Sequence, residues 1–210
     1  MVQKSEGREE QPAPRPRGRP RSFDTEATLA QATLTFWQRG YAATSLDDLG
    51  AATGLNRPSL YGAFGDKHAL YLQALKLYVD NSNAGIAAAL EGRSLRDGLM
   101  RVYELALQLY CPSDAPARGC LLIGTAATEA PRDEAIRAAL GDALRGFTAA
   151  FEARFRQAVE DGELPARTDA AMRAQLASAV LHSMALRARA GDAREELAAL
   201  AAAGVEMVSR

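Results

Sequence analysis

The side chains able to do chemistry in this chain of 210 residues are few and scattered. Its two cysteines, Cys111 and Cys120, stand nine positions apart. Cys120 follows Arg118-Gly119 at the start of a predicted apolar helix, where backbone N–H groups and a cation favour the thiolate. With Cys111 across a loop, that spacing suits a redox or electrophile sensor. The competing reading makes Cys120 a small buried hydrophobe ahead of Leu121, Leu122 and Ile123. His68 is expected exposed at a helix start and His182 packed within a helix. Two isolated histidines and two cysteines offer no metal-ligand spacing. Asp47 and Asp48 are adjacent, so on a helix they share no face, and charge at a helix terminus explains them better than acid–base work. No nucleophile elbow, phosphate loop or nicotinamide fingerprint is present, so neither catalysis nor a cofactor is expected. The remaining chemistry is recognition: Arg57, Pro58, Ser59 and Tyr61 cluster on one short segment, with Thr44 and Lys67 at its flanks as phosphate donors.

Two short predicted helices position these groups. Ser45 caps the first, Asp48 adds charge near its positive end, and Leu46, Leu49 and Ala52 mark its inner face. Gly54 supplies the left-handed backbone of a sharp helix end, and Leu55 fills the corner. Asn56 caps the second helix and Pro58 fits its first turn. Leu60 and Phe64 then face inward, leaving Arg57, Ser59, Tyr61 and Gly62 outward. A short helix with small and basic outward residues suits the DNA major groove. A helical hairpin in an ordinary bundle has the same apolar phase, so the flanks decide.

Those flanks carry Phe36 and Gly40-Tyr41 closing a first helix, Thr44-Ser45-Leu46 opening the second, and Ala51-Ala52-Thr53-Gly54-Leu55 at the turn. Arg57-Pro58-Ser59-Leu60-Tyr61 follows, then Phe64-Gly65-Asp66-Lys67 with Leu70 at the start of a long fourth helix. In this order the segment 22–78 resembles the TetR family of bacterial transcriptional regulators. The resemblance implies an all-α fold with a three-helix helix-turn-helix DNA-binding domain over 22–68 and a larger helical ligand-binding and dimerisation domain over 69–210. It also implies a homodimer through the last two helices on palindromic, double-stranded operator DNA, and a small-molecule inducer.

Composition agrees with a globular chain: 48% of residues are hydrophobic and 24% charged. No apolar run is long enough for a membrane span and no signal core opens the chain, so a cytoplasmic protein is expected. The net charge of −1 is unevenly spread. Residues 1–21 read as a disordered arm, proline-spaced, in which Arg15, Arg17, Arg19 and Arg21 stand without an acid among them. Such an arm suits a phosphate backbone or minor groove, the alternative being a solvated tail. A first helix spans about Asp24 to Arg39 with Leu29, Ala32, Phe36 and Trp37 inward, and a fourth follows an Asp66 cap. Ser94 caps a fifth helix, Pro131 suits the first turn of a seventh, Thr168 caps an eighth, and Asp192 with Glu195 opens a ninth.

Apolar stripes on the last two helices (Met172, Leu176, Val180 and Met184; Leu197, Leu200, Ala201, Gly204, Val205 and Val208) suit a bundle seam. A pocket is expected among the fourth to eighth helices, walled by Tyr103, Leu107, Tyr110, Phe147 and Phe151, with plain core as the alternative for each. The leading function is a ligand-responsive regulator, most simply a repressor. Its alternatives are a helical small-molecule-binding or enzymatic protein that does not bind an operator, and a cysteine-based sensing repressor.

Overall fold

Side-chain caps set where most helices begin. Asp24 Oδ1 accepts from the N–H groups of Glu26 and Ala27 and opens α1, Thr25–Arg39. Ser45 and Asp48 form a reciprocal capping box at α2, Leu46–Thr53. Asn56 accepts from Ser59 N to start α3, Arg57–Phe64, and Asp66 accepts from Ala69 N to start α4, Lys67–Leu90. Each such cap is worth about 1 kcal/mol against alanine. Ser94 does the same for α5, Leu95–Tyr110. The computed structural model describes residues 23–210, and among them every regular element is helical.

After α5 the chain turns through a short helix, π-wound over Leu122–Ala126 and α-helical over Ala127–Glu129 (α6). Three long helices complete the body: α7, Glu134–Glu160; α8, Ala170–Ala190; and α9, Arg194–Val208. Their starts differ from the sequence expectation by a few residues. Asp133, not Pro131, sets the start of α7, accepting from Ile136 N. Asp169, the residue after Thr168, caps α8 through Met172 N. At α9 the Glu196 carboxylate reaches back to Ala193 N, so the helix begins at Arg194 rather than at Asp192. Neighbouring Thr and Asp are both good caps, and only the approach angle of the chain chooses between them.

Helices α1 and α3 pack on α4, and α2 packs on α1 and α3. Phe36 is fully buried with its ring edge-on to Tyr71 at 5.0 Å, and Tyr41 lies 4.8 Å from the same ring. One buried hydrogen bond then ties this head to the body, and a second fastens the foot of α4 within the body. Trp37 Nε1 donates to Gly119 O at 3.0 Å, and the hydroxyls of Tyr71 and Thr125 meet at 2.6 Å.

In the body, Phe147, Phe151 and Phe155 of α7 enter one core with Leu99 and Tyr103 of α5, and the Tyr103 hydroxyl donates to Ala177 O of α8. Buried Arg154 pairs with Glu163 and donates to Arg93 O, while Glu163 accepts from Leu95 N, so one carboxylate joins the start of α5 to α7. Gly204 lets α9 approach α8 closely: a Cβ there would stand 2.9 Å from the Val180 methyls. The apolar stripe expected on α8 divides. Val180 and Met184 are buried within the chain, whereas Met172 and Leu176 remain exposed together with Leu186 and with Met207 of α9.

Candidate nucleic-acid interface and effector cavity

The inward phase of Leu60 and Phe64, 2% and 4% exposed, fixes which face α3 turns to solvent. Arg57, Pro58 and Tyr61 lie on that face, with Ser59 half-buried beside them. Arg57 is not idle there. Its guanidinium grips Asp47 of α2 with both nitrogens, Nη2 at 2.8 and 2.9 Å and Nε at 3.2 Å. The two aspartates that the sequence assigns to one helix-terminal role thus separate: Asp48 completes the capping box and pairs with Arg39, while Asp47 holds Arg57.

The flanking residues are placed differently from the expectation. Thr44 is 1% exposed and its hydroxyl donates to Gly40 O at 2.6 Å, so its side chain braces the α1–α2 turn instead of standing in solvent. Lys67 lies with its ammonium 4.5 Å from the Tyr41 ring centre. Partial burial lowers its pKa, with Glu129 pulling the other way. His68, expected exposed, is half-buried, its Nε2 2.8 Å from Asp133 Oδ2 at the start of α7. Arg17, Arg19 and Arg21 lie outside the described residues.

A cavity of about 430 Å³ opens between the head and the body. That volume falls in the usual range of small-molecule sites. Of the five residues expected on its wall, Tyr110 and Phe147 are there. Tyr103, Leu107 and Phe151 are core side chains instead, Tyr103 and Phe151 fully buried, and none of the three reaches the cavity. The wall the sequence missed comes from α1, with Thr33, Leu34 and Trp37, while α4, an expected wall with no residue named, supplies Leu77, Asn81 and Ile86. Leu34 is a readable signal, an apolar residue out of phase with the α1 core stripe and 39% exposed. Arg118 closes one side, its guanidinium carbon 4.2 Å from the Trp37 ring centre.

Cys120 sits behind this wall, 5% exposed, accepting from the Tyr78 hydroxyl at 3.2 Å. Burial pushes its thiol up, and the opposing help from Tyr78 and from the N–H groups of Ile123 and Leu122 does not overcome it. The helix-start argument for a thiolate therefore names a real effect that desolvation outweighs. Burial also raises the half-buried Cys111 thiol against the pull of Arg194, and both cysteines are free. His182 is half-buried; burial lowers its pKa, and its Nε2 has no partner among the described residues.

A three-helix head with a helix-turn-helix, joined by one long helix to an all-helical body with an apolar cavity, defines a class: a DNA-reading head coupled to an effector-binding body. Residues 29–74 match the model of bacterial regulatory proteins of the tetR family, and residues 98–203 match the tetracyclin repressor-like C-terminal domain. The chain belongs to the TetR family of transcriptional regulators. The HTH-type transcriptional repressor ComR of Escherichia coli (strain K12) is 33% identical over 187 residues, which cover 88% of this chain and 89% of ComR. The repressor BdcR of the same organism is 29% identical, covering 91% and 92%. Among solved structures, a cysteine mutant of the TetR family transcriptional regulator CifR, complexed with 26-bp double-strand operator DNA, superposes with a TM-score of 0.82 at 33% identity, covering 90% of this chain and 98% of that one. Among the described residues no helix is long and apolar enough to cross a membrane.

Proposed function

We propose that this chain is a repressor that binds a palindromic operator as a homodimer and leaves it when a small molecule enters the cavity. In this reading residues 1–21 form a basic arm, 22–68 the reading head and 69–210 the sensory and dimerisation body, and the protein works in the cytoplasm without catalysing a reaction. The observation that carries it is the shared cavity wall. Trp37 and Leu34 belong to α1 of the head, and Leu77, Asn81 and Ile86 to α4, which leaves the recognition helix through Gly65-Asp66. A molecule that fills the cavity touches both elements that orient α3. The exposed Met172, Leu176, Leu186 and Met207 supply an apolar face for a second copy, and the operator-bound CifR neighbour supports DNA as the partner.

A dimer fits successive major grooves only when its reading heads stand about 34–36 Å apart. A ligand that favours another tilt of α4 lowers DNA affinity by its differential affinity for the two states, about 1–3 kcal/mol in typical cases. By reciprocity the operator weakens the ligand by the same factor. The test is effector affinity measured with and without operator DNA: unequal values support induction, and equal values overturn it. Binding to DNA flanking the chain's own gene should weaken steeply with salt, and Lys67→Ala should make that slope shallower by about one.

A further inference from the structure

Reading the cavity as an effector site leaves open which chemistry it accepts, and the hydrogen-bond inventory of its wall narrows that. Its aromatic donors are already engaged: Trp37 Nε1 with Gly119 O, the Tyr78 hydroxyl with Cys120, and the Tyr110 hydroxyl with the same pair, Cys120 and Tyr78. The hydroxyls of Thr33 and Ser82 donate to Leu29 O and Tyr78 O of their own helices. Among the described residues Arg118 is the one charged member of the lining. Its Nε donates to Leu109 O and its plane lies over Trp37, which fixes the fork in place. Among the described residues no carboxylate pairs with it, and its two terminal nitrogens have no acceptor.

We propose that the cavity takes a small apolar monoanion, a carboxylate on an aryl or branched alkyl body, with Arg118 binding its charged end. An Arg fork matches a carboxylate with two parallel hydrogen bonds, and guanidinium is weakly hydrated enough to do so at a half-dry site. Asn81 adds one neutral amide to the wall, and Leu77, Ile86, Leu105 and Phe147 are apolar side chains to receive the body of the ligand. A cation meets Arg118 as a like charge, and the described residues of the lining include no carboxylate to offset it. A neutral isostere forgoes the charge-assisted pair.

The test uses three probes with one apolar body: para-butylbenzoate, para-butylbenzamide and para-butylbenzylammonium. Calorimetry gives each affinity, and the single tryptophan, Trp37, reports entry by its emission. The carboxylate should bind about tenfold or more tighter than the amide, the margin of a charged over a neutral hydrogen bond. Arg118→Gln should abolish that preference while the amide still binds measurably, which shows that the cavity persists, and Arg118→Lys should retain part of it. Amide or ammonium binding as tight as the carboxylate, no binding of any probe, or a preference that survives in R118Q would each overturn the assignment. Operator release is scored separately. Release by the amide alone keeps the regulator reading and refutes the anion, whereas carboxylate binding without release does the reverse.

Discussion

Gly119→Ala should destabilise the protein by about 3–5 kcal/mol, far more than an exposed glycine substitution. Gly119 has φ +62, where an alanine costs about 1–2 kcal/mol. Its new Cβ would stand 2.3 Å from Ala185 O and 3.3 Å from Arg189 Cβ. The nearer atom is α8 backbone, which cannot rotate away, so the loop must move, at about 1–3 kcal/mol by analogy with overpacked cores. Movement also strains the Trp37–Gly119 hydrogen bond, a buried contact worth about 1 kcal/mol. Gly92→Ala is the control: its φ is +65, but nothing lies within 4 Å of the added carbon. It carries the backbone term alone. Urea unfolding followed by circular dichroism, at one protein concentration because any dimer links the two, gives both values. Trp37 emission should shift to the red in G119A only. Equal losses for the two variants would refute the steric reasoning and leave only the backbone term.

Three further outcomes follow from the same geometry. Asp47→Asn releases Arg57 and removes a negative charge from the reading face, so DNA affinity should rise and its salt slope steepen by about one; a gel-shift titration at several salt concentrations that shows no change would count against Arg57 as a DNA contact. Burial tends to raise the Glu163 carboxyl, yet the Leu95 N–H and Arg154 outweigh it and leave its pKa below the ordinary 4.5. A depressed carboxyl stabilises the fold above its unfolded pKa and loses that contribution as pH falls through the folded one. Glu163→Gln should therefore weaken the protein at neutral pH, with the gap to the parent closing below pH 4.5, read from urea midpoints across pH. Leu176→Glu, at a residue 38% exposed on α8, should leave the helical signal intact but halve the mass by light scattering; an unchanged mass would move the subunit interface elsewhere.

What the sequence disclosed was local in origin. Ser45, Gly54, Asn56 and Asp66 act on backbone within a few residues, so caps and turns of the head could be read directly. The inward phase of Leu60 and Phe64 followed from helical period alone. The cavity was different. Whether Tyr103 or Leu105 of α5 faces it depends on how α4 crosses α5, and no periodicity encodes that. The contribution of α1 was hidden because Thr33 and Leu34 lie off its apolar stripe and meet the body only after folding. Arg118 over Trp37 joins residues far apart in the chain, and the same long-range packing buried Cys120 and outweighed the helix-start effect on its ionisation.

With Arg57 as a DNA contact, as proposed, the Asp47–Arg57 pair makes recognition an exchange of partners. Away from DNA the guanidinium already holds two acceptor oxygens, so leaving them yields only the difference between the old partner and the new. A guanine edge offers a matched pair of acceptors, O6 and N7, to take the place of the two oxygens left behind. A base without that pair offers no replacement, and the arginine does better by staying on Asp47. On the proposed reading Asp47 therefore acts as an internal competitor. It lowers the ceiling on affinity and widens the gap between right and wrong sites, the arithmetic by which a binding protein trades strength for discrimination.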